Sequence, residues 1–209
     1  MSAALLVLAA YLLGSLSGSL LLGRLRGVDI RTQGSGNAGG TNAFRTQGLK
    51  FALGVVVIDI GKGALAAWLG LRFAEAPTAA WLAYATAFAA VVGHVWPVWH
   101  GFRGGKGAAT VIGATLVLWP SAVPMLLATW IAVLVLTGYV GLGTVLAGLA
   151  LAALATLTHA ATPRLAFALA AAALLAWTHR GNLARLRAGT ESRFEKARLL
   201  HRLARRGRA

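Results

Sequence analysis

The chain has 209 residues, of which 58% are hydrophobic and 12% charged, against about 25% charged in soluble domains, so a soluble globular fold is excluded and lipid must cover part of the apolar surface. Twenty Lys and Arg against five Asp and Glu leave a net charge of +15; long Ala/Leu/Val runs exclude the nucleic-acid partner that such a balance otherwise suggests, and the positives read as topology signals plus an anion site. The absence of cysteine excludes disulfides, thiolate metal sites and cysteine nucleophiles.

A helix crossing a bilayer needs about 20 mostly apolar residues. In chain order, segments near 3–22, 51–71, 79–98, 107–119, 121–137, 139–158 and 163–178 fit or approach this requirement. The first has no charged flank before it and reads as a retained helix rather than a cleaved signal. Pro120 and Pro124 mark the turn between the short fourth segment and the fifth. The expected architecture is an all-α integral membrane protein of about seven transmembrane helices with glycine-rich loops.

Charge sets the expected orientation, because Lys and Arg accumulate on the cytoplasmic side. The stretch 23–50 carries Arg24, Arg26, Arg31, Arg45 and Lys50 against Asp29, and 99–107 adds Arg103 and Lys106. The tail from 180 carries further Arg and Lys against Glu191 and Glu195. Seven spans put all three stretches on one side, so the N-terminus is expected outside and the C-terminus in the cytoplasm. The tail 180–209 is expected to lie near anionic lipid heads.

The first polar stretch holds the densest chemistry. Gly34-Ser35-Gly36-Asn37-Ala38-Gly39-Gly40-Thr41-Asn42-Ala43-Phe44-Arg45 suits a backbone that closes tightly, and successive amides in such a loop form an anion-binding concavity. Thr41, Asn42 and Arg45 would add side-chain donors. Its G-x-G-x-x-G spacing is no dinucleotide fingerprint, since a membrane helix precedes it instead of a strand.

Inside the second span, Asp59 and Lys62 are costly at membrane depth and are expected to pair with each other at i, i+3. The block from His94 to Gly107 follows. Lys106 among glycines before a helix combines a point charge with a helix N-terminus, the usual ingredients of phosphate binding. It is not a P-loop, because Gly107 stands where a magnesium-ligating hydroxyl belongs. His94 reads as a structural, hydrogen-bonded histidine, and Trp96 and Trp99 as interfacial aromatics. The third block, His179 to Glu191, leaves the last span with His179 and Asn182 three residues apart, able to share a helix face.

Together these blocks resemble the bacterial acyl-phosphate:glycerol-3-phosphate acyltransferase family (PlsY). Its pattern G-S-G-N-x-G-A-T-N-x-x-R is similar to Gly34–Arg45, with Gly40 in place of Ala. Its G-H-x-x-P and F-K-G-G-K-G are similar to Gly93–Pro97 and Phe102–Gly107, with Arg103 in place of Lys. Its H-x-x-N-x-x-R-L-x-x-G-x-E is similar to His179–Glu191. Near Tyr139–Thr144 many members carry serine where this chain has Gly141, while Thr144 keeps a hydroxyl.

The resemblance implies a single membrane-embedded acyltransferase domain over 1–209 in the inner membrane, working at the cytoplasmic face without metal, cofactor or obligate protein partner. An acyl phosphate would give its fatty acyl group to sn-glycerol 3-phosphate, making 1-acyl-glycerol 3-phosphate and phosphate. Ser35, Lys106, His179 and Asn182 are the expected catalytic residues. Gly36, Asn37, Gly39, Thr41, Asn42, Arg45, Gly104, Gly105 and Glu191 are the expected substrate-binding residues, the glycines by close backbone approach. Whether His179 or the substrate phosphate accepts the hydroxyl proton stays open, with His179 expected to position substrate as a donor. Glu191 is expected either to orient a basic neighbour or to bind a substrate hydroxyl. The competing reading, a transporter or channel for phosphorylated anions, predicts midplane sites within repeats, whereas here the polar blocks gather on one side.

Overall fold

A computed structural model describes residues 2–73, 75 and 78–195, and these are helical, with no strand among them. The helices are α1 (Ala3–Gly14), α2 (Gly18–Leu25), α3 (Gly40–Gln47), α4 (Leu49–Phe73), α5 (Ala79–Val95), α6 (Ala108–Leu118), α7 (Val123–Thr137), α8 (Val140–Leu157), α9 (Thr162–Thr178) and α10 (Arg180–Arg187). Short 3₁₀ turns lie at Ile30–Thr32, Val98–His100 and Pro120–Ala122. Four helical stretches are long and apolar enough to cross a bilayer: Leu49–Phe73, Ala79–His100, Pro120–Thr137 and Val140–Leu157. The bent pair α1 and α2 makes a fifth, and α6 and α9 are shorter apolar helices. These elements overlap the seven apolar segments read from sequence, but by length and composition they make four spans, or five with the bent pair.

The first segment corrects an expectation. Residues 3–22 do not form one helix: the chain breaks between Gly14 and Gly18 with a 47° bend. Ser15 and Ser17 occupy the break, both fully buried. Ser15 bonds back to the carbonyl of Tyr11, and Ser19 just beyond donates to the carbonyl of Ala38. Short hydroxyl side chains compete in this way with the helical ladder.

The helices group into two compact units, 1–120 and 121–209. In the first, α4 packs on α6 and α5, and α1 packs on α5. Small residues permit these contacts, as membrane helix packing requires. On α4 and α6, Gly63 faces the Thr110 carbonyl and Gly113 faces the Ile60 carbonyl, each too close to admit a side chain. In the second unit α8 packs between α7 and α9, and α10 lies against α8 and α9. Gly138, at φ +80°, ends α7, and Pro124 and Pro163 start α7 and α9, where a missing amide costs nothing. The outermost tail, 196–209, lies outside the described residues.

Candidate active site

The first glycine loop is held together by its own side chains. Asp29 caps the turn Ile30–Thr32, accepting from the Arg31 amide at 2.9 Å. Its carboxylate also pairs with the Arg31 guanidinium at 2.7 Å, and chiefly this hydrogen bond holds its pKa below the usual carboxylate value. The same guanidinium donates to the carbonyls of His100 at 3.0 Å and Arg103 at 3.2 Å. Arg31 therefore ties the first polar stretch to the second. Beside this tie lies a cavity of about 240 Å³ lined by Leu20, Arg24, Val28, Asp29, Arg31 and Trp99, among others.

Asn42 is the keystone of the loop. Buried on α3, it accepts from the Ser35 amide at 2.9 Å and donates to the carbonyls of Ile30 and Gln33, each at 3.0 Å. Both of its N–H bonds are committed to the loop, which Asn42 therefore shapes. Gly34 and Gly36 adopt left-handed backbone at φ +55° and +71°, which lets the chain reverse over it. Asn37, Gly39 and Thr41 are half-buried, and Ser35, Gly36 and Arg45 are exposed.

In the second block the chain doubles back on the end of α5. The amides of Gly104 and Gly105 donate to the carbonyls of Val95 and His94, each at 3.1 Å. Those two amides are spent on the fold, so the close approach that the glycines permit is to α5: a side chain at Gly105 would strike the His94 ring. Phe102 is strained into the left-handed region at φ 58°. Half-buried Lys106 and left-handed Gly107 then lead into α6, whose first amides have no helical acceptor. Lys106 and this helix start are the groups of this block that could hold an anion.

The third block lies in the second unit. His179 closes α9, buried, with Nδ1 2.8 Å from the Leu175 carbonyl. A carbonyl only accepts, so Nδ1 carries the proton and Nε2 of the neutral ring is an acceptor. Three residues on, Asn182 donates to Glu191 at 2.6 Å, and Arg185 donates to the other Glu191 oxygen at 2.7 Å. Glu191 thus holds both Asn182 and Arg185. A Cβ on Gly141 of α8 would stand 2.9 Å from the Cβ of Asn182, so the absence of a side chain at 141 gives Asn182 its seat. Thr144 bonds back to the Val140 carbonyl at 3.0 Å.

Within the first unit the structure joins the loops through Arg31, which sequence reading treated only as a topology charge. The signal was present: an acidic residue two positions from an arginine at the start of a glycine loop. The Asp59–Lys62 pair is present at 2.9 Å, with both side chains buried, and His94 joins it.

Helices of spanning length joined to glycine loops that carry Lys106 and Arg45 define a class: an integral membrane protein equipped to handle a phosphorylated substrate. The chain belongs to the glycerol-3-phosphate acyltransferase family, whose description matches residues 4–189. It is 43% identical over 191 residues to the glycerol-3-phosphate acyltransferase of Myxococcus xanthus, covering 90% of this chain and 98% of that one. The Synechococcus enzyme of the same description is 40% identical, covering 93% and 96%. Among solved structures, the chain is similar to PlsY, an integral membrane glycerol 3-phosphate acyltransferase. The TM-score is 0.87 to its glycerol 3-phosphate form, at 34% identity over 93% of this chain and 96% of that one. Against the lysophosphatidic acid form it is 0.84, at 33% identity over 92% and 95%.

Proposed function

We propose that this protein transfers a fatty acyl group from an acyl phosphate to sn-glycerol 3-phosphate, releasing 1-acyl-glycerol 3-phosphate and phosphate. The observation that carries the reading is the match along almost the whole chain to a solved relative in glycerol 3-phosphate and lysophosphatidic acid forms, the acceptor and product of this reaction. An acyl phosphate as donor is what the resemblance of the three sequence blocks implies, and its chemistry supports the reading. A mixed anhydride is already activated, so no covalent enzyme intermediate is needed, and the chain has no cysteine to form one.

In the proposed reaction a glycerol hydroxyl oxygen bonds to the acyl carbon while the bond from that carbon to the phosphate oxygen breaks. The hydroxyl proton goes to His179 Nε2, a role supported by the Nδ1–H bond to Leu175. This departs from the donor role expected for His179, which would require the imidazolium. Asn182, aimed by Glu191, positions the reacting group. Arg45 and Lys106 neutralise phosphoryl charge, and Ser35 offers an exposed hydroxyl. Asn37 and Thr41, half-buried in the same loop, supply polar contacts.

Seven spans, with the three basic stretches facing the cytoplasm and the protein in the bacterial inner membrane, fit the charge distribution. The direct test is purified protein offered glycerol 3-phosphate with acyl phosphate or with acyl-CoA. Turnover with acyl phosphate alone is expected, and an equal or faster rate with acyl-CoA would overturn the donor assignment.

A further inference from the structure

The Lys62 ammonium has three acceptors, each at 2.9 Å: the Leu16 carbonyl, Asp59 Oδ1 and His94 Nδ1. An ammonium has three N–H bonds and no lone pair, so this set is complete. His94 Nδ1 must then accept, and the proton of the neutral ring sits on Nε2. The 3.4 Å separation of His94 Nδ1 from Asp59 Oδ1 is the approach of two acceptors bridged by one ammonium.

The consequence appears at the other edge of the ring. Nε2 lies against Gly105, where a Cβ would collide with it, and the Gly105 amide is itself bonded to the His94 carbonyl. Ring and loop form one piece. The His94 side chain is 3% exposed, yet among the described residues nothing accepts its Nε2–H. This Nε2 edge of the ring faces the loop that carries Lys106.

We propose that His94 is a substrate-binding residue: its Nε2–H donates to a phosphoryl oxygen of the substrate held at Gly104–Lys106. Asp59 and Lys62 are positioning residues that act through it by fixing the ring in one tautomer. This rests on the phosphate-binding reading of the loop and adds to it a donor delivered from α5. Lys62 and Asp59 also hold the loop's support in place, since Asp59 Oδ1 takes the Gly18 amide at 3.1 Å on the far side of the α1–α2 break.

Two measurements test it. In the resting protein labelled with ¹⁵N-histidine, the His94 ring, assigned by its loss in His94→Gln, should show an unprotonated Nδ1 and a protonated Nε2. The Nε2 resonance should shift when glycerol 3-phosphate or inorganic phosphate is added. In kinetics, His94→Phe should raise KM for one phosphorylated substrate by about tenfold or more with kcat within about threefold, and His94→Gln, whose amide reaches the Nε2 position, should recover most of that loss. A protonated Nδ1, an Nε2 resonance indifferent to both phosphates, or equal impairment of the Phe and Gln variants would each overturn the proposal. Failure of the acyl-transfer reading itself shows separately, as absent turnover in the parent enzyme, while tautomer and phosphate response are still read without turnover.

Discussion

Asn182 donates to Glu191 across 2.6 Å, and the other Glu191 oxygen holds Arg185. One carboxylate therefore sets the direction of an amide three residues beyond His179. A hydrogen bond to a charged group contributes about 1.5–3 kcal/mol, so Glu191→Gln, which removes the charge and one acceptor, should lower kcat/KM by about tenfold to a hundredfold. Thermal unfolding in detergent should show that the variant is folded. Wild-type kinetics would mean that Asn182 needs no such alignment.

His179→Asn separates proton acceptance from positioning. An asparagine amide can still bond the Leu175 carbonyl, but it lacks the Nε2 acceptor. With His179 as general base, the variant should bind glycerol 3-phosphate nearly normally while kcat falls by about a hundredfold or more. The acid limb of the kcat/KM profile, which reflects an imidazole that can no longer accept once protonated, should disappear. Residual activity with an unchanged acid limb would transfer the proton to the substrate phosphate.

Arg45 and Lys106 make a paired prediction about phosphate. A planar guanidinium grips a phosphate through two donors, which an ammonium cannot reproduce. Arg45→Lys and Lys106→Ala should each reduce kcat/KM by about tenfold or more, equivalent to about 1.4 kcal/mol of transition-state binding. Normal kinetics in both would return them to the role of topology anchors.

The Asp29–Arg31 pair should make the loop tie sensitive to pH in a defined direction. Asp29 has a depressed pKa in the fold. Its contribution is present above the unfolded value, 3.8, and is lost as pH falls through the lower folded value. The Asp29 side chain is 41% exposed, so the effect is modest. Asp29→Asn should melt below the parent at pH 7, and the two melting temperatures should converge as pH falls below the ordinary carboxylate range. A gap that persists unchanged below that range would show that the carboxylate charge contributes nothing.

The orientation can be read by labelling because there is no native cysteine. Single cysteines at Ser2, Thr78 and Thr162 should react with a membrane-impermeant reagent from outside, and those at Thr46 and Ser192 only from inside. Labelling of Thr46 and Thr78 from the same side would rule out the seven-span topology.

Hydropathy located the apolar elements because burial in lipid depends on summed composition. The sum is blind to where the backbone turns, so the break at Ser15–Ser17 passed unseen inside an apolar window. The polar blocks were legible as sites because glycine, Lys106, Arg45 and His179 are costly or special wherever they stand. Individual roles were less so. An asparagine in a glycine loop reads as a ligand donor, and only the carbonyls of Ile30 and Gln33 reveal that Asn42 also holds the loop. The seat that Gly141 gives Asn182 depends on a helix 41 positions away, which no local pattern encodes.

The bend between α1 and α2 also bears on how the chain is made. At this bend the Leu16 carbonyl accepts a hydrogen bond from Lys62, 46 residues later, and the Gly18 amide donates one to Asp59, 41 residues later. A backbone group left open in hydrocarbon costs several kcal/mol. The N-terminal segment therefore leaves the ribosome as an incomplete membrane element, finished only when α4 arrives carrying the two charges that close it. Asp59 and Lys62 in turn cannot enter lipid cheaply without that gap to fill. In the folded protein the first and second segments thus complete each other's polar groups, and neither is satisfied alone.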